Sequence, residues 1–279
     1  MSEEAPETAL PAPAPPATDP TEATEATDVT EASAPTAPRR RLVLDSLPVL
    51  LVRAAHPRQA VLTAAALAAV ATLDARPGRE VALVAATVLV GQVVLGWHND
   101  LVDRDRDRAH ERGGKPLADG RLDPGTAWFA WCCGVLLLIP LAINNGVLAG
   151  CCYLASVAVG LLGNLDNRLL RRGPLSWLPW AVSFALYPAF LSYGGWGGQA
   201  EGDPPQPLIV ALAALLGIGV HFLTALWGLV ADDEDGWTYL PLRLGRRTGA
   251  SALLVLTLVY LAVVAAVLAV AAHQLGLSA

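Results

Sequence analysis

The stretch EVALVAATVLVGQVVLGWHNDLVDRDRD, residues 80–107, begins as an apolar run and ends in alternating acids and bases. The run over residues 80–98 is long enough to cross a hydrocarbon layer as a helix. On a helix, Asp100, Asp103 and Asp107 stand at i, i+3 and i+7, within roughly 60° of arc on one face. The stretch therefore predicts a membrane helix that presents three carboxylates at one end.

Apolar residues dominate the rest of the chain as well. They make up 54% of the 279 residues, and charged residues supply only 16%, against about 25% in ordinary globular domains. The charges cluster between apolar runs instead of spreading over a solvated surface. We predict an all-α, multispan transmembrane bundle that encloses a cavity open to the cytoplasmic face. The predicted spans are residues 57–73, 80–98, 125–141, 146–163, 175–193, 207–227 and 249–271, and an amphipathic helix over 42–56 is a possible eighth.

The Lys and Arg residues are distributed unevenly between the loops on the two sides of the membrane. Seventeen of the 19 fall in loops that the predicted spans place on one side of the membrane, and only Arg76 and Arg79 fall on the other. Positively charged loops favour the cytoplasm. We therefore predict a cytoplasmic N-terminus and cytoplasmic acidic loops. The Ala-, Leu- and Val-rich composition suggests a bacterial cell membrane.

The first 41 residues differ from the remainder in composition. Residues 1–38 are rich in Pro, Ala, Thr and Glu and contain eight acids and no base. Such a segment has little apolar surface to bury, so we predict a disordered cytoplasmic tail over residues 1–41, followed by a membrane domain over 42–279. Without the acidic tail the chain is only slightly basic, and no nucleic-acid partner is indicated.

Two chemical interpretations fit the acidic turn. In the first, the arginines of the DRDRDR segment neutralise each aspartate and the turn is a solvated charged loop. In the second, Mg²⁺ lies among Asp100, Asp103 and Asp107, with Asn99 beside them. Mg²⁺ binds carboxylate oxygens and commonly completes its shell with substrate phosphates.

A second acidic cluster favours the metal interpretation. The segment WGLVADDEDGWTYLPLRLGRR, residues 227–247, ends another predicted span on the same side. Asp232 and Asp235 share a helix face at i and i+3, and Asp233 lies between them. Two acidic helix ends followed by bases at one membrane face suit a diphosphate held through Mg²⁺ above an apolar cavity. The sequence therefore predicts a site for an isoprenoid diphosphate.

At this point the sequence resembles the UbiA superfamily of intramembrane prenyltransferases. NDLVDRDRD matches the family's NDxxDxxxD signature at Asn99, Asp100, Asp103 and Asp107, and GGKPLADGRL resembles its basic-Pro-x-x-x-Gly element, with Lys115 as the base. LPLRLGRR is typical of the segment after the second signature. The resemblance covers about residues 42–271.

Two features depart from the family pattern. The family's second motif is often DxxxD, and its first Asp falls at Gly228 here, with Asp232 at the second. Either Asp233 and Asp235 substitute for the missing acid, or the second metal is held differently. The chain also has about seven predicted spans, where the family usually has nine.

The resemblance implies a Mg²⁺-dependent enzyme that ionises an isoprenoid diphosphate and transfers the prenyl group to an acceptor, commonly an aromatic acid or quinone precursor. The implied class is transfer of alkyl groups other than methyl. Asp103, Asp107 and Lys115 are the implied catalytic residues. The implied metal ligands are Asn99, Asp100, Asp103, Asp107, Asp232 and Asp235, and the implied substrate-binding residues are Asn99, Lys115, Arg171, Arg172, Asp232 and Asp233.

Two alternatives remain open from the sequence. A membrane terpene cyclase of the same fold needs the same metal site, and differs in requiring no second substrate. A non-catalytic membrane relative is favoured by Gly228 and opposed by the intact first signature and Lys115. The acceptor, the prenyl chain length and the oligomeric state are not encoded in these motifs.

Overall fold

A computed structural model describes residues 45–111, 113–195 and 202–277 of the chain. The predicted tail, residues 1–41, lies outside the described residues, as do the first three residues of the predicted lead-in helix. The regular structure of the described part is ten helices: α1 (Leu47–Ala54), α2 (Pro57–Leu73), α3 (Gly78–Ala109), α4 (Pro124–Ile143), α5 (Val147–Asn164), α6 (Leu178–Ser192), α7 (Pro207–Ala225), α8 (Leu229–Glu234), α9 (Leu240–Thr248) and α10 (Ala250–Leu275).

Proline sets the start of many of these helices. It occupies one of the first two positions in six of them, where its missing N–H group has no intrahelical partner to lose. At α4, Asp123 also caps the helix, because its carboxylate accepts a hydrogen bond from the Thr126 amide at 2.8 Å. These local signals explain why the helices begin close to the predicted span boundaries.

Five helices are long and apolar enough to cross a membrane: α3, α4, α5, α7 and α10. The helices α2 and α6 are also apolar but shorter, with 17 and 15 residues. Together these seven helices correspond to the seven predicted spans, and the prediction of an all-α, multispan protein is confirmed for the described residues. Large apolar side chains on α10, such as Val255, Val259 and Val263, are more than half exposed, as expected for a lipid-facing surface.

Consecutive helices pack side by side, and α3 lies at the centre of the first half. It packs against α2, α4 and α5, while α6 packs on α5 and α7, and α10 on α7. The Tyr153 hydroxyl of α5 donates to the Val88 carbonyl of α3 at 3.2 Å. At Gly91 an added Cβ would lie 2.2 Å from that hydroxyl, so only glycine permits this approach. The packing fixes the helix that carries the acidic turn.

The helix α3 continues well past its predicted apolar span. It has 32 residues and ends at Ala109, whereas the apolar run ends near residue 98. The additional turns carry the alternating acids and bases, whose ion pairs with neighbouring segments hold them in helical form. The acidic residues are therefore fixed on a rigid element.

Candidate active site

Three carboxylates lie buried along one face at the end of α3. Asp100, Asp103 and Asp107 expose 2%, 8% and 1% of their surface. Burying one carboxylate is costly unless it is paired, and three on one face also repel one another. The structure compensates them with basic side chains from distant segments. This corrects the simple picture of a solvated charged loop.

Lys115 bridges two of these carboxylates. Its Nζ donates to Asp100 Oδ1 at 2.9 Å and to Asp107 Oδ2 at 2.7 Å. Burial acts to lower the pKa of Lys115, but the charges of Asp100 and Asp107 outweigh it and raise the pKa above its ordinary value. The ammonium group therefore stays charged at neutral pH and supplies a fixed positive charge between the acids.

The loop after α3 is docked so that Lys115 reaches this position. Leu117 and Leu122 are buried against Leu50 of α1 and Ala127 of α4. Arg53 donates to the Gly114 carbonyl at 3.1 Å. The family-like GGKPLADGRL element thus has a local structural reason: its apolar residues anchor the loop and its lysine faces the carboxylates.

Two further groups hold the first cluster. Arg171 donates through Nη2 to both oxygens of Asp103, at 2.5 and 2.6 Å, and through Nη1 to the Asn164 carbonyl at 2.7 Å. The His56 ring nitrogen Nε2 lies 2.9 Å from Asp100 Oδ1. Asn99 is half-buried and its side chain makes no hydrogen bond to a residue that the structure describes, so its amide remains available to a ligand.

The second acidic cluster meets the first through an arginine. Arg106, on the last turn of α3, donates through Nη2 to Asp232 Oδ1 at 2.6 Å and through Nε to Asp235 Oδ2 at 2.5 Å. The Tyr239 hydroxyl donates to the other oxygen of Asp232, which is 5% exposed. The structure therefore brings Asp100, Asp103, Asp107 and Asp232 to one side of the bundle.

Asp235 lies at the rim of the site. Burial acts to raise its pKa, but hydrogen bonds from Arg106 and then from His110 outweigh it, and the pKa lies below its ordinary value. Nε2 of His110 lies 3.0 Å from Asp235 Oδ1. This carboxylate is therefore ionised at neutral pH and holds two basic groups.

Two predicted substrate-binding residues are placed differently. Asp233 is exposed and pairs with the exposed Arg246, so the structure does not bring it to the cluster. Arg172 pairs with Asp166, and its carbonyl accepts a hydrogen bond from the Thr238 amide at 2.8 Å. That backbone bond joins the loop after α5 to the loop after α8.

The donor set of the first cluster fits Mg²⁺. As the side chains stand, no three Asp, Glu, His or Cys groups among the described residues form a ready cage for a metal ion. Basic groups instead lie between carboxylates that would otherwise repel one another. Carboxylate and amide oxygens are ligands that Mg²⁺ prefers, and Asn99, Asp100, Asp103 and Asp107 offer them on one face.

A cavity of about 290 Å³ opens beside the first cluster. Its lining is mostly charged and polar: Asp107, Arg108, Glu111, Gly113, Ala118 and Asp119. With three acids and one base in its lining, the cavity accommodates a cation or a hydrated polar group better than a hydrocarbon chain. The apolar chamber for a lipid tail remains a prediction.

Several residues of the site were not identified from the sequence. Helical periodicity places Arg106 off the acidic face, with the solvated arginines, yet its side chain is 18% exposed and reaches Asp232. His56 and Trp237 belong to no recognised motif. Their roles depend on contacts between distant segments, for which the sequence carries no local signal.

Comparison with protein families and solved structures places this arrangement in context. A family described as the UbiA prenyltransferase family matches residues 60–279. A UbiA homolog from Archaeoglobus fulgidus bound to GPP and Mg²⁺ has a similar fold, with a TM-score of 0.60 and 18% sequence identity. The alignment covers 81% of this chain and 83% of that chain. No curated protein sequence matches the chain.

Proposed function

The chain belongs to the UbiA prenyltransferase family, and from this premise we propose that it is an intramembrane enzyme that acts on an isoprenoid diphosphate. In the presence of Mg²⁺ the enzyme ionises this substrate and transfers the prenyl group to a small acceptor. The observation that carries the proposal is the convergence of Asp100, Asp103, Asp107 and Asp232 with Lys115 at one end of the bundle. Carboxylates for a divalent cation and bases for a diphosphate occur there together.

The substrate class follows from charge and surroundings. A diphosphate needs cations, and Lys115 and Arg171 extend from two loops to the carboxylates of α3. An isoprenoid tail needs apolar surroundings, which the membrane-spanning helices provide. The similar fold of a homolog bound to GPP and Mg²⁺ supports this pairing of ligands.

Each residue has a distinct role in the proposed site. Asn99, Asp100, Asp103 and Asp107 would hold Mg²⁺, which when bound stabilises the negative charge of the departing diphosphate. Lys115 is already within hydrogen-bond distance of Asp100 and Asp107, so a small shift of its ammonium group transfers it from carboxylate to phosphate oxygens. Arg171 orients Asp103 and offers a second cation to the same ligand.

The acceptor must reach a reactive carbon that is shielded from water, because water would otherwise capture the allylic cation. We expect the acceptor to be a small lipophilic or aromatic molecule, such as a quinone precursor. Consistent with the sorting of basic loops, we place the N-terminus and the acidic loops in the cytoplasm and the protein in the membrane of a bacterial cell.

The proposal is tested with purified protein in detergent micelles, Mg²⁺ and prenyl diphosphates of several chain lengths, with release of diphosphate as the readout. A transferase releases diphosphate with one preferred length, and the release depends on an added aromatic acceptor. Release without an acceptor, together with a cyclised hydrocarbon, identifies the terpene cyclase alternative. If no prenyl diphosphate is consumed with a panel of aromatic acceptors, the enzymatic proposal is wrong.

A further inference from the structure

Arg106 occupies the centre of the second acidic cluster. Its guanidinium bonds to Asp232 and to Asp235, and it is the only side chain among the described residues that joins these two acids. Its third nitrogen, Nη1, has no hydrogen-bond partner among the described residues. A guanidinium fixed on two sides, with a free donor on the third, is a preorganised anion-binding group.

An indole ring holds this guanidinium from a further direction. The Arg106 guanidinium carbon lies 4.4 Å from the centroid of the Trp237 ring, and those of Arg171 and Arg172 lie 5.6 and 5.7 Å from it. Arginine stacks favourably on the face of tryptophan. Trp237 therefore gathers three arginines that arrive from two segments far apart in the sequence.

Trp237 is itself buried, with 7% of its surface exposed. Its Nε1 group, and the Nε group of Arg172, are buried donors that have no hydrogen-bond partner among the described residues. Buried donors usually find an acceptor. The cluster thus contains three N–H groups that have no acceptor among the described residues: Arg106 Nη1, Arg172 Nε and Trp237 Nε1. Free N–H donors next to positive charges favour the binding of an anion.

The oxygens of the second cluster are already engaged. Asp232 accepts from Arg106 and from Tyr239, and Asp235 accepts from Arg106 and from His110. Asp232 is the only buried acid of this segment. At Gly228, an added Cβ would lie 2.8 Å from Asp232 Oδ2, so a side chain there would move the Asp232 carboxylate away from its bond to Tyr239. Both oxygens of Asp232 are thus held by different donors, whereas the two bonds to Asp100 fall on the same oxygen, Oδ1, so a metal ion at Asp232 would have to displace Arg106 or Tyr239.

We propose that the second acidic cluster positions Arg106 to bind the diphosphate directly and does not itself bind a metal ion, with Trp237 as the residue that positions the arginines. This inference rests on the proposed function, and it replaces the predicted metal-binding roles of Asp232 and Asp235. The guanidinium supplies at this place the positive charge that a second metal ion would supply. Only the first cluster then holds Mg²⁺.

The direct test measures two ligands separately, in detergent-solubilised full-length protein. Inorganic pyrophosphate is titrated in the presence of Mg²⁺, and bound Mn²⁺ is counted by electron paramagnetic resonance at saturating pyrophosphate. We expect Arg106→Gln to weaken pyrophosphate binding by about 10- to 100-fold, because hydrogen bonds to charged groups are lost. We expect Arg106→Gln and Asp232→Asn to bind as many Mn²⁺ ions as the wild type.

Matched variants separate charge, geometry and folding. Arg104→Gln is the control, because Arg104 lies on the same helix and, among the described residues, pairs only with its exposed neighbour Asp105. We expect it to bind pyrophosphate like the wild type. Arg106→Lys keeps the charge but loses the planar fork, and we expect an intermediate affinity.

The role of Trp237 is tested by comparing two KM values, because general damage to the fold would change both of them. We expect Trp237→Leu to raise the KM for the prenyl diphosphate by roughly 3- to 30-fold, through loss of the cation–π contacts, and to leave the KM for the acceptor unchanged. Trp237→Phe keeps an aromatic face and should recover most of the loss. An equal rise in both KM values, or no difference between the Leu and Phe variants, would contradict the positioning role.

Two results overturn the inference. One is the loss of a bound Mn²⁺ ion in Asp232→Asn, which would make the second cluster a metal site. The other is unchanged pyrophosphate affinity in a folded Arg106→Gln protein. The failure of the proposed function looks different, because the wild-type protein would then bind neither pyrophosphate nor prenyl diphosphate in the presence of Mg²⁺.

Discussion

Nη2 of Arg106 lies 2.6 Å from Oδ1 of Asp232, although 126 residues separate them along the chain. The contact joins the end of α3 to the short helix α8, and so joins the two acidic segments into one site. Both segments must therefore lie at the same membrane face, as the sorting of basic loops predicted. An ion pair between them fixes their distance before any ligand binds.

Asp103 is expected to be essential for turnover. Asp103→Asn keeps the shape of the side chain but removes the charge that Arg171 and a divalent cation would share. Loss of a group that stabilises transition-state charge lowers kcat by about 100-fold or more. Diphosphate release in detergent micelles is the measurement.

The matched control for Asp103 is Asp105→Asn on the same turn. Asp105 is exposed and, in the described part of the chain, hydrogen-bonds only to Arg104, so its replacement should leave kcat within about twofold of wild type, since exposed ion pairs contribute little. Equal losses in the two variants would show that the acidic turn acts as a whole and not through the Asp103 carboxylate.

Lys115→Met is expected to change metal and diphosphate binding in opposite directions. Without the ammonium group, Asp100 and Asp107 repel each other across the site, and a divalent cation replaces the missing charge. The affinity for Mn²⁺ alone should rise roughly tenfold, while the affinity for pyrophosphate with Mg²⁺ falls. Thermal unfolding checks this, because Mg²⁺ should raise the Tm of the variant more than that of the wild type.

Arg121→Met is the control for Lys115. Arg121 lies in the same loop but pairs with Asp119 and Asp45 and not with the three carboxylates of α3, so its loss should leave the Mg²⁺ dependence of Tm nearly unchanged. If Lys115→Met responds to Mg²⁺ like wild type, the ammonium group and the metal do not share a position.

His56 combines a strained backbone with a contact to the site. Its φ is 51°, in the left-handed region, and its ring nitrogen bonds to Asp100. His56→Ala and His56→Gly both remove the contact, and both should lower kcat by a similar factor. Only alanine retains the backbone strain, so the Ala variant should be less stable than the Gly variant by about 1 kcal/mol. Thermal unfolding and diphosphate release separate the two effects, and a larger activity loss in Ala would show that backbone strain matters for catalysis.

The sequence predicted the helices because apolar runs, prolines and charge clusters are local signals. Residues that share one helix face, such as Asp100, Asp103 and Asp107, were predicted to lie together for the same reason. Periodicity did not predict the role of Arg106, because its partner Asp232 lies on another helix, and the periodicity of one helix carries no signal for such a contact. Nor could it identify Trp237, which acts only once two loops have come together.

The close approach of α3 to the segment after α1 gives the last prediction. An added Cβ at Gly96 would lie 2.7 Å from the backbone carbonyl carbon and oxygen of Ala55. Backbone atoms cannot rotate away, so Gly96→Ala must displace residue 55 and, with it, the adjacent His56 from Asp100. We expect a lower Tm and a loss of activity at least as large as that of His56→Gly.

Gly78→Ala is the control on the same helix, because nothing lies within 4 Å of its added Cβ, and alanine there should be neutral or slightly stabilising. If Gly96→Ala lowers Tm but leaves kcat at the wild-type value, the His56–Asp100 contact does not depend on this packing.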